Sequence, residues 1–388
     1  MFLSTTLSQN PRLAEYAVDL HQNGIIRPNT YVLDLDTISE NAAKLAETAR
    51  NHGIKLYMMT KQVGRNPKVA QAVADSIPSA VAVDPWEALH LARAGIPLGH
   101  VGHLVQIPSS MVEAILDYQP EVITVFSLAK AREISKAARA RHYQQDLLLK
   151  VTGEGDLVYE GQWGGFREEE WISAAREIEG MPGVRIAGVT AFPCLLYDGK
   201  EIAPTPNFQT LVRAARTLEE ALDRPLDQMN APSATACASL SLLKSMGATH
   251  GEPGHALTGT TPLHEHPGQP EQPAIVYISE VSHREGDIAY AYGGGHYRRS
   301  RMRQALIGRN LDEMMNRKVP ILELSPEVID YTIGLRVGEM PVEVGETVLF
   351  AFRTQIFVTR SEVAVVSGLQ AGKPQIQGIY NHLGESLC

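Results

Sequence analysis

A chain of 388 residues is long enough for two domains, or for one large barrel with an addition. Hydrophobic residues make up 44% of it and charged residues 20%, so it can bury a sizeable core and does not have the composition of a disordered protein. The formal net charge of −9 argues against nonspecific binding to nucleic acid. One basic cluster, residues 298–303, is either a solvated face or a contact for an anionic substrate or a subunit.

The cysteines and the apolar runs indicate a cytoplasmic protein. Cys194, Cys237 and Cys388 have neither the spacing of a metal site nor that of a disulfide framework, which fits a reducing compartment. The first residues do not form the apolar stretch of a signal peptide, and no run of about 18 apolar residues occurs. We therefore expect no membrane partner.

The first elements are an amphipathic helix predicted over residues 9–23 and a strand over residues 30–35. Thr37-Ile38-Ser39-Glu40 then has the form of a helix capping box. From there short apolar strands alternate with helical patterns. Strands are predicted at 54–60, 80–83, 101–105, 122–126, 146–151, 185–191, 227–230 and 248–251. Helices are predicted at 67–76, 85–94, 109–118, 128–142, 168–179, 207–222 and 234–246.

This alternation predicts an α/β fold. Eight strands separated by helices are typical of parallel βαβ units, and eight strands close a (β/α)8 TIM barrel. A doubly wound sheet would show the same alternation, but Gly-x-Gly-x-x-Gly follows none of the early strands. We therefore predict a barrel over residues 37–264, preceded by an N-terminal helix and strand in residues 1–36.

The composition changes after about residue 263. Residues 262–273 contain four prolines and two histidines, which is typical of a linker. The strand patterns that follow predict a C-terminal all-β domain over residues 265–388. Its strands are expected at 274–281, 287–292, 321–324, 328–333, 347–351, 355–359 and 362–367.

Two short segments carry the chemistry. Lys61 follows the strand 54–60, and a lysine at the mouth of a barrel strand can form a Schiff base with a carbonyl cofactor. Glu252-Pro253-Gly254 follows the strand 248–251, where a carboxylate can hold a protonated pyridine nitrogen. Because enzymes of pyridoxal 5'-phosphate (PLP) need both groups, the pair predicts PLP as the cofactor. Lys61 could instead be a solvated surface charge, and Glu252 a structural ion-pair partner.

Two segments are predicted to bind the cofactor phosphate. Asn230, Ser233 and Thr235 follow the seventh predicted strand, and Gly254 and His255 follow the eighth. In a TIM barrel, phosphate often lies after strands seven and eight, where free N–H groups stabilise an anion. Ser233 and Thr235 could instead be ordinary helix caps.

These motifs resemble a known family. Lys61 after an apolar strand, with Pro67 opening a helix, resembles the lysine region of the alanine-racemase and D-threonine-aldolase group of fold-type III PLP enzymes. Glu252-Pro253-Gly254 resembles the corresponding segment of eukaryotic-type ornithine decarboxylases, which share the barrel, whereas alanine racemases have arginine at the Glu252 position. The resemblance runs from about residue 30 to the late 290s and is greatest to an uncharacterised bacterial branch. It implies that the strand 30–35 docks on the C-terminal β domain.

The resemblance also implies a second catalytic base and a dimer. Residues 288–294 resemble the segment that carries this base in alanine racemases, and Tyr292 falls on its tyrosine. In that family the tyrosine comes from the other subunit, so the resemblance implies a head-to-tail homodimer. Tyr290 and Tyr292 could instead be alternating residues on the face of a strand.

Some features depart from the family. Thr190-Ala191-Phe192-Pro193 lacks the histidine that stacks on the pyridine ring, so Phe192 would have to stack instead. The arginine that supports the cofactor oxygen in alanine racemases has no clear match in residues 161–165. No late His-x-Cys pair supports the zinc site of related D-serine dehydratases. We predict no metal, and expect His264-Glu265-His266 to face solvent.

The leading hypothesis is a PLP-dependent enzyme that labilises the Cα–H bond of an amino acid, with Lys61 and Tyr292 as its catalytic residues and racemisation or epimerisation as the outcome. The charge of Glu252 favours decarboxylation, β-elimination or aldol cleavage as the alternative. A non-catalytic PLP-binding protein of this fold would lack a second domain, which the predicted β domain argues against. A cofactor-free Schiff-base aldolase would carry its lysine on a late strand.

Overall fold

The computed structural model describes residues 2–325 and 327–387, so Met1, Pro326 and Cys388, which belong to the predicted terminal domains, lie outside the described residues. The chain folds as two compact units. One, here called the barrel unit, comprises Ala43–Thr60 and Val73–Gly254. The other, the sheet unit, comprises Met1–Ala42, Lys61–Ala72 and His255–Cys388.

The α-helices, in chain order, are Phe2–Gln9, Pro11–Gln22, Leu35–His52, Pro67–Ala74, Pro85–Arg93, Val112–Leu116, Leu128–Ala140, Trp171–Glu179, Pro206–Leu222, Cys237–Ser245 and Leu311–Met314. Short 3-10 turns are Lys61–Val63, Ser109–Met111, Glu168–Glu170, Pro262–Glu265 and Ile356–Val358. Among the described residues, no helix has both the length and the apolar character needed to cross a membrane.

The barrel unit contains a parallel sheet of eight strand positions, here called barrel strands 1 to 8. Barrel strand 1 consists of two pieces on either side of the fully buried Tyr57. The sheet order begins with one piece and ends with the other, and the pairs His250↔Lys55 and Met58↔Ala80 join them to barrel strands 8 and 2. This ring confirms the predicted barrel. The strands are Lys55–Leu56 with Met58–Met59, Ala80–Ala82, Leu98–Val101, Val122–Val125, Gln145–Thr152, Val184–Thr190, Gln228–Asn230 and His250–Gly251. Phe166–Arg167 adds to barrel strand 5, and Leu195–Tyr197 pairs with Ile202–Pro204.

The third barrel strand differs from its prediction. It covers Leu98–Val101 rather than residues 101–105. Gly102 ends it with a φ of +83°, in the left-handed region that glycine adopts without steric cost. The shift matters for the site because it puts His100 inside the strand and His103 just past its carboxyl end.

The sheet unit has a mixed sheet built from both ends of the chain. The N-terminal strand Thr30–Asp34 is buried at every position and lies between two late strands. It pairs antiparallel with Ile275–Glu285 and parallel with Glu362–Ser367. The order of strands is Lys318–Pro320, Gln304–Gly308, Thr347–Phe350, Ile275–Glu285, Thr30–Asp34, Glu362–Ser367 and Gln375–Asn381, with Ile288–Tyr292 and Thr332–Arg336 attached beside Ile275–Glu285.

This sheet confirms the predicted C-terminal sheet domain, with local differences. The strand predicted at 355–359 is wrong, because Ile356–Val358 forms a 3-10 turn. The strand predicted at 328–333 begins later, at Thr332. Helix Pro11–Gln22 covers one face of the sheet with Leu13, Ala17 and Leu20, all buried in one apolar cluster with the strands. That apolar face explains the 3.6-residue periodicity of the N-terminal segment.

Candidate active site

Glu252 is the centre of a buried polar cluster in the barrel unit. It follows barrel strand 8 and is 3% exposed. Its Oε1 accepts a hydrogen bond from Asn230 Nδ2 at 2.8 Å and lies 2.7 Å from His100 Nδ1. Because an ionised carboxylate only accepts, His100 donates to it through Nδ1, and His100 Nε2 lies 2.5 Å from Thr124 Oγ1. Side chains from barrel strands 3 and 7 thus hold one carboxylate oxygen, and Thr124 of barrel strand 4 holds His100.

The other carboxylate oxygen of Glu252 is open. Within residues 2–325 and 327–387, Oε2 is buried and accepts no hydrogen bond. His103 Nε2 lies 3.8 Å from it. Buried polar atoms almost always have a partner, so this oxygen fits a donor that a ligand brings. A protonated pyridine nitrogen is a donor of that kind.

The electrostatics of this cluster keep Glu252 ionised. Burial raises the pKa of the carboxyl, but the charges of His103 and His100 and the hydrogen bonds from His100 and Asn230 outweigh it and lower the pKa to about 2. A buried negative charge at neutral pH favours the protonated form of any ring nitrogen in contact with it.

The same cluster has the composition of a metal site. One potential ligand atom from each of His100, His103 and Glu252 lies within 4.8 Å of the others, and all three residues are buried. Imidazole and carboxylate together suit a divalent transition metal. The absence of a metal therefore stays a prediction, which metal analysis of the purified protein would test.

Ser233 and Thr235 do not cap the helix that follows them. The N-cap of Cys237–Ser245 is Ala236, so the capping alternative is wrong. Ser233 has a φ of 90° and donates to the carbonyl of Leu195 at 2.7 Å. Thr235 Oγ1 accepts from the backbone N–H of Glu252 at 3.0 Å. Thr235 thus fixes the backbone of Glu252, and phosphate binding by these residues stays a prediction.

The end of barrel strand 1 is fixed by a buried carboxylate. Thr60, which precedes Lys61 in the chain, donates to Glu87 Oε1 at 2.7 Å, and the N–H of Val83 donates to Oε2 at 2.9 Å. Asp84 caps the helix Pro85–Arg93 through the N–H of Glu87 at 2.8 Å. Glu87 is fully buried, and both of its carboxylate oxygens accept hydrogen bonds that position the strand ends.

In the sheet unit, His255 lies in a positive electrostatic environment. Burial, followed by the charges of Arg353 and Lys61 and then that of Arg299, lowers the pKa of His255 well below its usual range, although a hydrogen bond with the backbone of Thr354 opposes this. His255 Nε2 is buried and has no hydrogen-bond partner among the described residues. Lys61 is half-buried and begins the 3-10 turn Lys61–Val63. Such an environment fits an anion.

Tyr292 is the last residue of the strand Ile288–Tyr292 and is 43% exposed. Thr332 lies opposite it in the neighbouring strand. Tyr290, two residues earlier, stacks on His283 with ring centroids 4.8 Å apart. A catalytic role for Tyr292 across a dimer interface stays a prediction, and its exposure leaves the phenol accessible.

Phe192 connects the Glu252 cluster with a cleft of about 710 Å³ in the barrel unit. Its ring meets His103 edge to face, with centroids 5.4 Å apart, and it also lines the cleft. Stacking of Phe192 on a pyridine ring stays a prediction. The cleft is lined by residues 150–156, 158, 162–165 and 167–169, with Phe192 and Asn207.

Sequence reasoning missed three residues here. His100 and His103 lie at the carboxyl end of a barrel strand, where polar side chains line the active site. This position could have identified them from the sequence as site residues. Lys150 interrupts the apolar run Leu147-Leu148-Leu149 and is 5% exposed. In the sheet unit, His264 is buried, with Nε2 3.6 Å from Glu271 Oε2, so the expectation that it faces solvent is wrong.

Comparison with known proteins identifies relatives over the whole chain. Residues 33–262 match the alanine racemase N-terminal domain, and residues 276–376 match the YhfX-like C-terminal domain. The uncharacterised protein YhfX of Escherichia coli K12 is 46% identical over 391 residues, covering 100% of both chains.

Solved structures share the fold at low sequence identity. D-threonine aldolase from Filomicrobium marinum is 16% identical with a TM-score of 0.63, covering 92% of this chain and 95% of its own. Alanine racemase of Clostridium difficile 630 is 14% identical with a TM-score of 0.63, covering 92% of this chain and 99% of its own.

Proposed function

We propose that this chain, which belongs to the alanine racemase N-terminal domain family and is a homologue of YhfX, is a PLP-dependent enzyme that acts on the α carbon of an amino acid, as a racemase or epimerase. Members of the family depend on PLP, which supports the cofactor. We also expect a head-to-tail homodimer in the cytoplasm.

The observation that carries the proposal is the open oxygen of Glu252. Burial of an ionised carboxylate is costly when one of its oxygens accepts no hydrogen bond, as holds for Glu252 Oε2 among the described residues. A pyridinium N–H fits because the negative charge of Glu252 stabilises it, and because Asn230 and His100 fix the carboxylate from the other side. PLP, when bound, withdraws electrons from the α carbon of the amino acid.

The chain's own residues then have separate tasks. Lys61 would bond to the carbonyl carbon of the cofactor and, once displaced by the substrate amine, would move a proton at one face of the α carbon. Tyr292 of the partner subunit would hold or release the proton at the other face. Phe192 would pack on the pyridine ring. The remaining residues proposed to bind the cofactor are Asn230, Ser233, Thr235, Gly254 and His255.

A second candidate reaction is cleavage of a bond beyond the Cα–H bond, as in a decarboxylase, a lyase or an aldolase. Glu252 is the observation that favours it, since a charged partner of the ring nitrogen strengthens electron withdrawal where the arginine of alanine racemases would restrain it. The likeness to a D-threonine aldolase shows that this fold also accommodates such a protein.

The cofactor is tested without turnover. The protein should be yellow after incubation with PLP, and borohydride reduction followed by peptide mapping should place the pyridoxyl group on Lys61. Lys61→Ala is the matched variant and should take up no reducible label. A colourless protein would contradict PLP as the cofactor. A label on another lysine would contradict Lys61 as the residue that binds it.

The reaction is tested by isotope exchange. The protein is incubated with a panel of amino acids in D₂O, and deuterium at the α carbon, the enantiomeric ratio and cleavage products are followed. Exchange with loss of stereochemistry supports a racemase or epimerase. Cleavage products without a change of configuration would overturn racemisation in favour of the second candidate.

A further inference from the structure

Lys150 is a buried cation in the wall of the cleft. It lies in barrel strand 5 and is 5% exposed. Its Nζ donates to the carbonyl of Gln162 at 3.1 Å and lies 4.3 Å from the centroid of the Phe126 ring. Throughout the part of the chain that the structure describes, no carboxylate forms an ion pair with it. Its partners are therefore the uncharged carbonyl group of Gln162 and the face of the Phe126 ring.

The loop over Lys150 is shaped to approach it closely. Gly165 has a φ of +124°, and a Cβ at this position would lie only 2.6 Å from the carbonyl oxygen of Lys150. Glycine there lets residues 161–165 lie directly against the strand, which brings the carbonyl of Gln162 within reach of Nζ. An ammonium has three N–H donors, so the Gln162 bond leaves donors for a ligand.

The charged side chains that line the cleft differ in their exposure to solvent. Its acidic side chains Glu154, Glu168 and Glu169 are exposed at the surface, and so is Arg167. Asp156 is occupied, since it accepts from the N–H of Gly153 and from Thr210 Oγ1. The buried charge of the cleft is therefore that of Lys150, and a low-dielectric environment strengthens its attraction for an anion.

The cleft shares one wall residue with the Glu252 cluster. Phe192 lines it and contacts His103, which lies beside Glu252. A volume of about 710 Å³ is in the range of small-molecule sites. A substrate whose α carbon is near the Glu252 cluster could therefore extend its far end into the cleft.

We propose that Lys150 and this cleft bind a carboxylate at the far end of the substrate, so that the enzyme acts on amino acids with an acidic side chain. The proposal rests on the proposed function for the identity of the reacting group. The anion site itself needs neither PLP nor turnover.

The test is binding of two unreactive probes of equal chain length, glutarate and its uncharged diamide glutaramide, to the protein as purified, measured by isothermal titration calorimetry at pH 7. Glutarate should bind, and Lys150→Met should weaken it about tenfold to a hundredfold, as expected for loss of a hydrogen bond to a charged group. Lys150→Arg keeps the charge and should restore binding. Lys200→Met, an exposed lysine in the same unit, is the control and should change nothing.

Three results would overturn the proposal. Equal binding of glutarate and glutaramide by the wild type would show that the cleft does not select an anion. Unchanged glutarate binding in Lys150→Met, with a wild-type circular dichroism spectrum, would assign the anion to another group. Loss of PLP affinity in Lys150→Met, with glutarate selectivity intact, would make Lys150 a cofactor residue. If Lys61 takes up no label, glutarate binding can still be measured. The proposed function and the anion site can therefore be refuted independently.

Discussion

Replacement of Lys150 by methionine should stabilise the barrel unit at neutral pH. Burial lowers the pKa of Lys150 from 10.5 to about 8. At 1.36 kcal/mol per pH unit, holding this lysine charged costs the folded state roughly 3 kcal/mol at pH 7. Methionine has a similar length and no charge, but it loses the hydrogen bond to Gln162 and the contact with Phe126, each worth about 1 kcal/mol. The net gain is about 1 kcal/mol.

The stability that Lys150→Met gains over the wild type should fall as the pH rises. Between about pH 8 and 10.5 the unfolded lysine binds more protons than the folded one, so the stability of the wild type rises with pH in this window. Lys150→Met lacks this contribution. Its advantage should therefore be complete below about pH 8, vanish near about pH 9, where the remaining cost of the charge equals that of the lost contacts, and turn into a disadvantage above about 10.5.

The measurement is thermal unfolding followed by tryptophan fluorescence, because Trp86, Trp163 and Trp171 all lie in the barrel unit. At pH 7 the midpoint for Lys150→Met should rise by about 2–4 °C, the shift expected for about 1 kcal/mol in a unit of this size. Lys200→Met should keep the wild-type midpoint. A lower midpoint for Lys150→Met at pH 7, or a difference that does not change between pH 8 and 10.5, would refute the reasoning.

Three further outcomes are expected. Glu252→Gln keeps the size of the side chain but removes the charge that favours a pyridinium, so Cα-proton exchange should slow about a hundredfold; wild-type exchange with every substrate would return Glu252 to a structural role. Tyr292→Phe should reduce exchange for one enantiomer and spare the other, whereas equal loss for both would contradict a base on one face. Ser233→Ala with Thr235→Ala should weaken PLP binding by about 0.5–1.5 kcal/mol per hydrogen bond in a spectroscopic titration, and an unchanged affinity would show that these hydroxyls serve only Leu195 and Glu252.

The barrel could be predicted because its signals are local. Short apolar runs, capped helices and turn glycines recur at regular spacing, and each strand is flanked by a helix, as Asp84 and Pro85 show for one of them. The family resemblance of Lys61 and Glu252 also rests on short contiguous motifs. The strands after residue 320 were harder to predict from the sequence, because turn segments such as Ile356–Val358 contain residues typical of strands but pair with no strand.

The hydrogen bonds of Glu252 could not be predicted, because their partners come together only in three dimensions. His100 and Asn230 are 130 residues apart in the chain, yet both contact the same carboxylate oxygen. The contacts of Glu87 with Thr60 and Val83 likewise form only when neighbouring barrel strands meet. A lysine between two apolar residues, as Lys150 is between Leu149 and Val151, is compatible with either strand face until the sheet is closed.

The place of Thr30–Asp34 in the middle of its sheet has a consequence for biosynthesis. This strand leaves the ribosome among the first, but one of its partners, Glu362–Ser367, is among the last to be made. At usual translation rates the delay is on the order of tens of seconds, and the barrel unit is complete before it ends. During that time a strand that is buried at every position in the folded protein has two unpaired edges, the condition that favours pairing with other chains. A fragment with the C-terminal sheet alone would meet the opposite problem, a gap between Ile275–Glu285 and Glu362–Ser367 that only a supplied copy of Thr30–Asp34 fills.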